Sequence, residues 1–344
     1  HYPLRRQRQM CIRDSLYNRN NMNITLPDGS IRELDLGSTG LDLASSIGPG
    51  LAKAAIAVTV NGVQRDLSDP INEDSSVSII TIDSDEGLEI MRHTLTAQVL
   101  ARAVKNLYPG TKLAIGPTIT DGFYYDFEFK KPISPEDLES IEKEMKKIIA
   151  GNSSITKSFH TKEEAINVFR NEGESYKESI VSDSQQEDNF QLYTQDDSEF
   201  VDLCRGPHLP NLKHIGAFKL TKLAGAYWKG DSKNKMLTRI YGTAWKNEKD
   251  LNAHLHTIEE AEKRDHRKLG KEMNLFHFQE EAPGMVFWHP DGWTIYRLLQ
   301  NFIRSKLEKS SYKEINTPQV VDRKLWEASG HWDKYLSLIH ISEP

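Results

Sequence analysis

A seven-residue run from Asp202 to His208 constrains the fold of this chain more than any other feature. It reads DLCRGPH and places a carboxylate, a thiol and an imidazole close together. Gly206 and Pro207 break any helix or strand between Cys204 and His208, so the three groups share a non-repetitive turn. Such a turn can aim them at one point, as a metal site or a hydrolytic pocket requires. The simpler alternative is a buried cysteine, a surface histidine and a capping aspartate that are neighbours by chance, and spacing alone favours it.

Composition narrows the class of protein. The length of 344 residues predicts two or three domains, and 38% hydrophobic with 27% charged residues is typical of a soluble folded chain. No apolar run approaches the ~20 residues of a membrane span. Two cysteines exclude a disulfide framework and indicate a reducing compartment, so we expect a cytoplasmic location. The net charge of −6 argues against a protein that coats nucleic acid generally.

One stretch departs from this acidic balance. Between residues 213 and 239 a single acid, Asp231, stands among seven basic residues: Lys213, Lys219, Lys222, Lys229, Lys233, Lys235 and Arg239. The stretch is either a solvated face or a phosphate-contacting surface beside the Cys204 turn.

The two ends carry no fold signal. Residues 1–15 show neither a helical nor a strand period and no signal-peptide core. These residues and the last eight, 337–344, resemble translated sequencing-adapter read-through. We therefore treat residues 1–21 as artefact or disorder and 337–344 as artefact, with Met22 as the candidate start. Cys204 then remains as the only cysteine.

Residues 22–82 are predicted to form a small α+β domain of ββαββ order. Pro27–Ser30 and Asn61-Gly62 are hairpin turn signals. A helix is expected from Leu41 to Lys53, capped by Ser38 or Thr39. The predicted strands are Ile24–Leu26, Ile31–Leu34, Ile56–Val60 and Val77–Ile82.

A second α+β domain is predicted over residues 83–248. Its first helix runs from His93 to Leu107, with an apolar stripe of Leu100, Val104 and Leu107. A second helix begins at Ser134, which can cap it. Strands are expected at Lys112–Ile115, at Gly122–Phe129 and on both sides of the Cys204 turn.

The remaining residues are predicted to form a linker helix over 249–272 and the start of a third domain over 273–336. The linker, Leu251 to Lys271, is highly charged, as an exposed connector would be. Trp293 to Leu307 is amphipathic. Ile315–Val320 is predicted as a strand whose Pro318 suits an edge or an interface.

Further motifs accompany the turn in a fixed order. They are AIGP at 114–117, GFYYDF at 122–127, LAGAYW at 223–228 and DHRKLG at 265–270. Together with DLCRGPH they resemble threonyl-tRNA synthetases. PGM at 283–285, WHPDG at 288–292 and Thr317-Pro318 resemble the opening of the class II catalytic core, including motif 1. The resemblance, from Met22 to Tyr335, implies a ubiquitin-like TGS domain, an α+β editing domain, a linker helix and the start of an antiparallel class II catalytic domain.

The resemblance also implies an activity. The family joins threonine to its tRNA with ATP and hydrolyses mischarged seryl-tRNA. It implies tRNA, threonine and serine as partners, a homodimer at full length and no membrane. ATP, Mg and a catalytic-domain zinc are implied for the full-length family, but no cofactor for the residues present here. The zinc ligands and motifs 2 and 3 would follow Tyr335, so the sequence as written is expected to support editing at most.

By this resemblance six residues line the editing pocket: His93, Tyr125, Lys177, Asp202, Cys204 and His208. His208 would orient the attacking water or act as base. Lys177 would bind the tRNA end or stabilise the oxyanion, Asp202 would hold the substrate amine or orient His208, and Tyr125 would position the terminal adenosine. Taken alone, Lys177 is an ordinary surface lysine, Tyr125 a core aromatic and His93 a helix-capping side chain.

The helix at His93 departs from the family pattern of two histidines at i and i+4. Counted forward from Arg92, His93 matches the first place and Ala97 the second. Counted backward from Leu107, Thr94 and Gln98 occupy the two places. Positions 93 and 98 are about 140° apart on an α-helix, so they do not share a face. One imidazole is missing in either register.

Two other functions of the turn, a zinc site and a cysteine nucleophile, are less well supported. Cys204 and His208 have acceptable spacing for two zinc ligands, but a site needs three or four, and only His93 offers a third. We therefore predict no metal. Cys204 lacks a cysteine-protease signature and is expected to line the pocket.

Two alternatives to the synthetase interpretation remain. A freestanding trans-editing hydrolase would have no use for residues 273–335. A non-catalytic TGS-type RNA-binding module is favoured by the missing imidazole.

Overall fold

The computed structural model describes residues 21–318 and 322–334. They divide into two compact units, one ending at Ala253 and the other starting at His254. No helix among these residues is both long and apolar enough to cross a membrane. The predictions for residues 1–20, 319–321 and 337–344 lie outside the described residues.

The first domain is a five-stranded sheet with two short helices, so its α+β class is confirmed, but the predicted ββαββ order is wrong because it omits the strand at Val63–Asp66. Its elements are β1 (Asn21–Thr25), β2 (Ile31–Asp35), α1 (Gly40–Ile47), α2 (Pro49–Ala54), β3 (Ala55–Val60), β4 (Val63–Asp66) and β5 (Ser75–Thr81). The strand order is β2-β1-β5-β3-β4, with β5 parallel to β1. Both predicted hairpins are present, and Asn61 and Gly62 each have positive φ, as a type I′ turn needs.

The predicted helix from Leu41 to Lys53 is wrong in its continuity. It is two helices, α1 and α2, that meet at Gly48 and Pro49. Proline has no N–H for the helical ladder and therefore starts a new helix at its first position. Thr39 is the cap, in a capping box with Asp42.

The rest of the first unit is a mixed α+β domain. Its helices are α3 (Asp85–Thr94), α4 (Ala101–Leu107), α5 (Asp137–Gly151), α6 (Lys162–Asn171), α7 (Ser175–Asp183) and the start of α8 (Glu248–Lys263). Its strands are β6 (Lys112–Leu113), β7 (Thr118–Ile119), β8 (Gly122–Glu128), β9 (Ile155–His160), β10 (Phe190–Gln195), β11 (Val201–Leu203), β12 (Ala217–Tyr227) and β13 (Met236–Trp245). One sheet has the order β12-β13-β8-β6, with β7 on β8, and the other β11-β10-β9.

The helix expected from His93 to Leu107 starts eight residues earlier, at Asp85, where Ser84 caps it. Residues Leu95–Leu100 form a π-helical turn between α3 and α4. A π-helix accommodates one residue more than an α-helix over the same rise. The helix therefore does not keep the 100° spacing on which a count along an α-helix depends.

The core of the second domain extends into the first. Ile56, Ala57 and Ile80 of the first sheet belong to the same buried cluster as Met91 and Leu95. The two sheets are thus joined by packed apolar side chains as well as by the chain, so a contact between them has a defined geometry.

Two details of the predicted helices need correction. Leu107 was expected in the apolar stripe but is 38% exposed, whereas Leu100 and Val104 are fully buried. Helix α5 begins at Asp137 rather than at Ser134, because the Ser134 N–H and hydroxyl donate to the Asp137 carboxylate across a turn.

The second unit begins within α8 and continues through the charged linker. The predicted single helix ends at Lys263, and α9 (His266–Glu272) starts anew with Asp265 as its cap. Beyond it lie β14 (Phe276–His277), β15 (Phe287–Trp288), α10 (Pro290–Lys309), α11 (Arg323–Ala328) and α12 (His331–Lys334). Residues 312–318 form no strand, so the strand predicted from Ile315 is wrong over its described part.

Candidate active site

A cavity of about 820 Å³ opens in the first unit where α3, β8, α7 and the β11 turn meet. A volume of this size is typical of a small-molecule pocket. Five of the six predicted site residues line it: His93, Tyr125, Lys177, Asp202 and Cys204. His93 and Cys204, which are 111 positions apart in sequence, are thereby brought to one wall.

Lys177 and Asp202 form a buried ion pair beneath this cavity. Lys177 Nζ lies 2.6 Å from Asp202 Oδ1, and the two side chains are 5% and 2% exposed. The Leu203 N–H also donates to Asp202 Oδ1. Burial raises the pKa of Asp202, and the Lys177 ammonium opposes that shift. Lys177 is therefore not the surface lysine that composition suggests, and Asp202 contacts Lys177 rather than the His208 ring.

Tyr125 extends from β8 into the floor of the cavity. It is 1% exposed and belongs to the main core cluster, so the core-aromatic and pocket-lining descriptions both hold. Its hydroxyl has no hydrogen-bond partner among the described residues. Burial raises the pKa of this hydroxyl, which keeps it a donor. A buried unpaired hydroxyl is costly unless a ligand or water satisfies it.

His93 connects the helix to the turn. Its Nε2 lies 2.8 Å from Cys204 Sγ, and its ring stacks on the His208 ring at 4.6 Å with 5° between the planes. Burial lowers the pKa of His93, although the Asp202 carboxylate opposes this. At neutral pH the imidazole is therefore neutral and can accept a proton.

His208 lies behind this wall rather than in it. It is 2% exposed and is not among the described residues that line the cavity. The Thr94 hydroxyl donates to the Ile90 carbonyl at 2.9 Å, accepts from the Leu209 N–H at 3.0 Å and lies 3.1 Å from His208 Nδ1. All three contacts are satisfied together only if Nδ1 carries the proton. His208 Nε2 then holds the lone pair, and it has no partner among the described residues.

The donor atoms of His93, Cys204 and His208 lie within 4.8 Å of one another. The third candidate ligand that the sequence left uncertain is therefore in place. A zinc ion with tetrahedral N and S ligands would hold them about 3.5 Å apart, given bond lengths of about 2.0 and 2.3 Å. The 2.8 Å between His93 Nε2 and Cys204 Sγ instead suits a direct thiol–imidazole hydrogen bond. The absence of a metal stays a prediction.

The π-helical turn decides between the two histidine registers. Ala97 lines the cavity beside His93, as the forward count places it. Gln98 is fully buried on the other side, where its carbonyl and amide oxygen accept from Gln195 Nε2. In the forward count, a methyl group thus occupies the place that the family pattern gives to the second imidazole.

Acidic side chains neutralise much of the positive charge of the basic stretch at residues 213–239. Four of its seven members pair with acids: Lys219 with Glu142, Lys229 with Asp183, Lys235 with Glu128, and Arg239 with Asp126. The expected phosphate-contacting surface is thus partly neutralised. Exposed Arg205 in the turn lines the cavity, so positive charge remains at its edge.

Sequence reasoning missed the residues that hold the turn from behind. Thr94 entered only as a counting position, whereas its hydroxyl fixes His208. Tyr193 packs edge-on against the His208 ring at 4.4 Å, and Asp66 accepts from the His208 N–H at 2.7 Å. No pattern connects Asp66 to a turn 142 residues away. The alternation of β10 does not predict this burial either, because it places Tyr193 on the face opposite to Phe190 and Leu192.

Comparisons with known proteins agree with this geometry. Residues 22–81 match the TGS domain, and residues 191–241 match the threonyl and alanyl tRNA synthetase second additional domain. The latter range contains the whole Asp202–His208 turn.

Whole-chain relatives are consistent with these matches. The chain is 54% identical to a threonine–tRNA ligase of Hahella chejuensis, over 91% of this chain and 48% of that protein. It is 54% identical to that of Maricaulis maris over 93% and 50%, and 53% identical to that of Rhodospirillum rubrum over 93% and 50%. The chain belongs to the threonyl-tRNA synthetase family, and it spans about half the length of the curated relatives it matches.

Proposed function

We propose that the cavity hydrolyses the ester bond of seryl-tRNA mischarged on a threonine tRNA. The proposal rests on one observation: neutral His93 and the Lys177–Asp202 ion pair line the same cavity. Ester hydrolysis needs a positioned water, a group that takes its proton and a positive or hydrogen-bonding group for the developing oxyanion. All three can be supplied by residues that line the cavity.

The need for such a site follows from substrate chemistry. Serine and threonine share a hydroxyl and differ by one methyl group. The pocket that binds the amino acid for ligation distinguishes side chains that differ by one methyl group by only about 1–3 kcal/mol, or about 10–200-fold. A second pocket that destroys the smaller product raises the overall selectivity.

His93 is the proposed base, because it faces the cavity and burial keeps it neutral. His208 stacks on the His93 ring and holds its orientation. The Lys177 ammonium stabilises the oxyanion or the tRNA end, and Asp202 keeps that ammonium in place. Tyr125 offers its unpaired hydroxyl to the terminal adenosine or the ester.

For the complete protein we propose ATP-dependent ligation of threonine to tRNA, since its relatives carry the name threonine–tRNA ligase. On the same similarity we propose that the complete protein uses Mg and a catalytic-domain zinc, forms a homodimer and is cytoplasmic.

A test measures release of serine and of threonine from Ser-tRNA and Thr-tRNA specific for threonine. We expect selective loss of serine. His93→Ala should lower the rate by about 10²–10⁴-fold, the usual contribution of a general base, and His208→Ala should lower it by removing the stacked support. Equal loss of serine and threonine, or wild-type rates in both variants, would contradict the proposal.

The second candidate is a non-catalytic RNA-binding module. Ala97 favours it, because a methyl group replaces an imidazole in the wall. Binding of tRNA with no hydrolysis of Ser-tRNA would support this candidate instead.

A further inference from the structure

We infer that Asp66, on the first domain, is a positioning residue for the His208–His93 stack in the second domain. The inference rests on the proposed hydrolysis. It would make the first sheet part of the editing machinery rather than a separate module attached to it.

The Asp66 carboxylate ends β4 and is 7% exposed. Its Oδ1 accepts from the His208 backbone N–H at 2.7 Å. Its Oδ2 accepts from the Tyr193 hydroxyl at 2.7 Å and lies 2.7 Å from Lys157 Nζ. Hydrogen bonds to an ionised acceptor at this length are the strong ones, so one carboxylate fixes three groups of the second domain.

Two of these groups determine where the His208 ring lies. Asp66 holds the backbone of His208 directly. It also holds Tyr193, whose ring packs edge-on against His208 at 4.4 Å and 78°. His93 stacks on the same imidazole at 4.6 Å, and His93 lines the cavity. A chain of direct contacts thus runs from the first sheet to the proposed base.

Tyr193 packs closely against the backbone of the turn at Gly206. A Cβ on Gly206 would lie 2.1 Å from the Tyr193 hydroxyl oxygen, and Gly206 has a φ of +66°. The hydroxyl therefore lies against the backbone of the turn itself. If Asp66 did not hold this hydroxyl, Tyr193 and the turn would both gain freedom to move.

The chain offers a matched control for Asp66. Asp69 lies 2.6 Å from the same Lys157 Nζ, and no hydrogen bond joins it to His208 or Tyr193 among the described residues. Removal of either carboxylate costs Lys157 one ion-pair partner. Only removal of Asp66 takes away the acceptor of the His208 N–H and the nearer acceptor of the Tyr193 hydroxyl, whose other acceptor, Gln191 Oε1, lies 3.3 Å away.

The experiment compares Asp66→Ala, Asp66→Asn and Asp69→Ala in the full chain, with Ser-tRNA hydrolysis as the assay. A displacement of about 1 Å at a reacting group can cost about 10²-fold. We expect kcat to fall at least about tenfold in Asp66→Ala with little change in KM, and to stay near wild type in Asp69→Ala. Asp66→Asn keeps an acceptor for the His208 N–H and should recover much of the loss.

A second readout does not depend on activity. The His208 backbone amide proton should shift upfield in Asp66→Ala, where its acceptor is gone, and should keep its position in Asp69→Ala. Equal kcat in Asp66→Ala and Asp69→Ala, with an unmoved His208 amide, would overturn the inference alone. A wild-type chain that hydrolyses no Ser-tRNA would instead overturn the proposed function. If Asp66→Ala does not fold, Tyr193→Phe, which loses the hydroxyl that Asp66 holds, is compared with Asp69→Ala, and equal kcat in these two variants overturns the inference.

Discussion

His93 Nε2 lies 2.8 Å from Cys204 Sγ and joins a helix to a turn 111 residues away. The contact places the thiol and the imidazole on one wall of the cavity. Both residues line the cavity, whereas His208 lies behind them.

Replacement of Cys204 should affect hydrolysis only modestly. If the thiol lines the pocket and is no nucleophile, Cys204→Ala loses the hydrogen bond with His93, worth about 1 kcal/mol or about fivefold in rate, and the longer one from the Gly206 N–H. The hydrolysis rate of Cys204→Ser should lie between those of wild type and Cys204→Ala. The measurement is single-turnover hydrolysis of Ser-tRNA. A loss as large as that of His93→Ala, or a trapped seryl thioester, would show that Cys204 reacts covalently.

The purified chain should contain no stoichiometric zinc. The reason is the 2.8 Å contact between His93 and Cys204, which is shorter than two ligands of one zinc ion allow. Elemental analysis and hydrolysis after chelator treatment check this expectation. One zinc per chain, lost in Cys204→Ala, would show that the His93, Cys204 and His208 cluster is a metal site.

Removal of one partner of the Lys177–Asp202 pair should destabilise the first unit strongly. Asp202→Ala leaves a buried ammonium unpaired, at a cost of about 3–5 kcal/mol. The double variant Asp202→Ala with Lys177→Met should recover part of that loss. Urea unfolding followed by circular dichroism measures both.

The control for this pair is Glu139→Ala, which breaks an exposed ion pair with Lys143. Its cost should be only about 0–1 kcal/mol. If Asp202→Ala and Glu139→Ala cost the same, the Lys177–Asp202 pair is not the buried, mutually dependent pair that its 2.6 Å contact indicates.

Acid should weaken the fold through His93. Burial lowers the pKa of the folded imidazole, so below about pH 6.5 the unfolded chain takes up a proton that the folded chain does not. The stability present above this pH is therefore lost as the pH falls. Wild type should lose more free energy of unfolding between pH 7.5 and 5.5 than His93→Gln.

His266→Gln is the comparison for the acid response, because the His266 side chain is 88% exposed. It should lose as much stability on acidification as wild type. An identical loss in wild type and His93→Gln would mean that His93 does not remain neutral in the folded chain.

The sequence by itself predicted the α+β class, both hairpins of the first sheet and, through the family resemblance, five residues that line the cavity. Turn signals such as Asn61-Gly62 act locally, because the backbone conformation they require depends on one or two residues. The motif around Tyr125 and the turn were among those that carried the family resemblance, which the comparisons confirm.

Tertiary structure alone decided the depth and partners of these residues. Lys177 is buried only because Asp202 lies 2.6 Å from it, and periodicity does not report a partner 25 residues away. Within the π-helical turn, Ala97 rather than Gln98 lines the cavity. Which of the two faces the cavity depends on how the neighbouring elements pack around the helix. Asp66 reaches His208 through the packing of two sheets, and such long-range contacts depend on the whole core rather than on any local pattern.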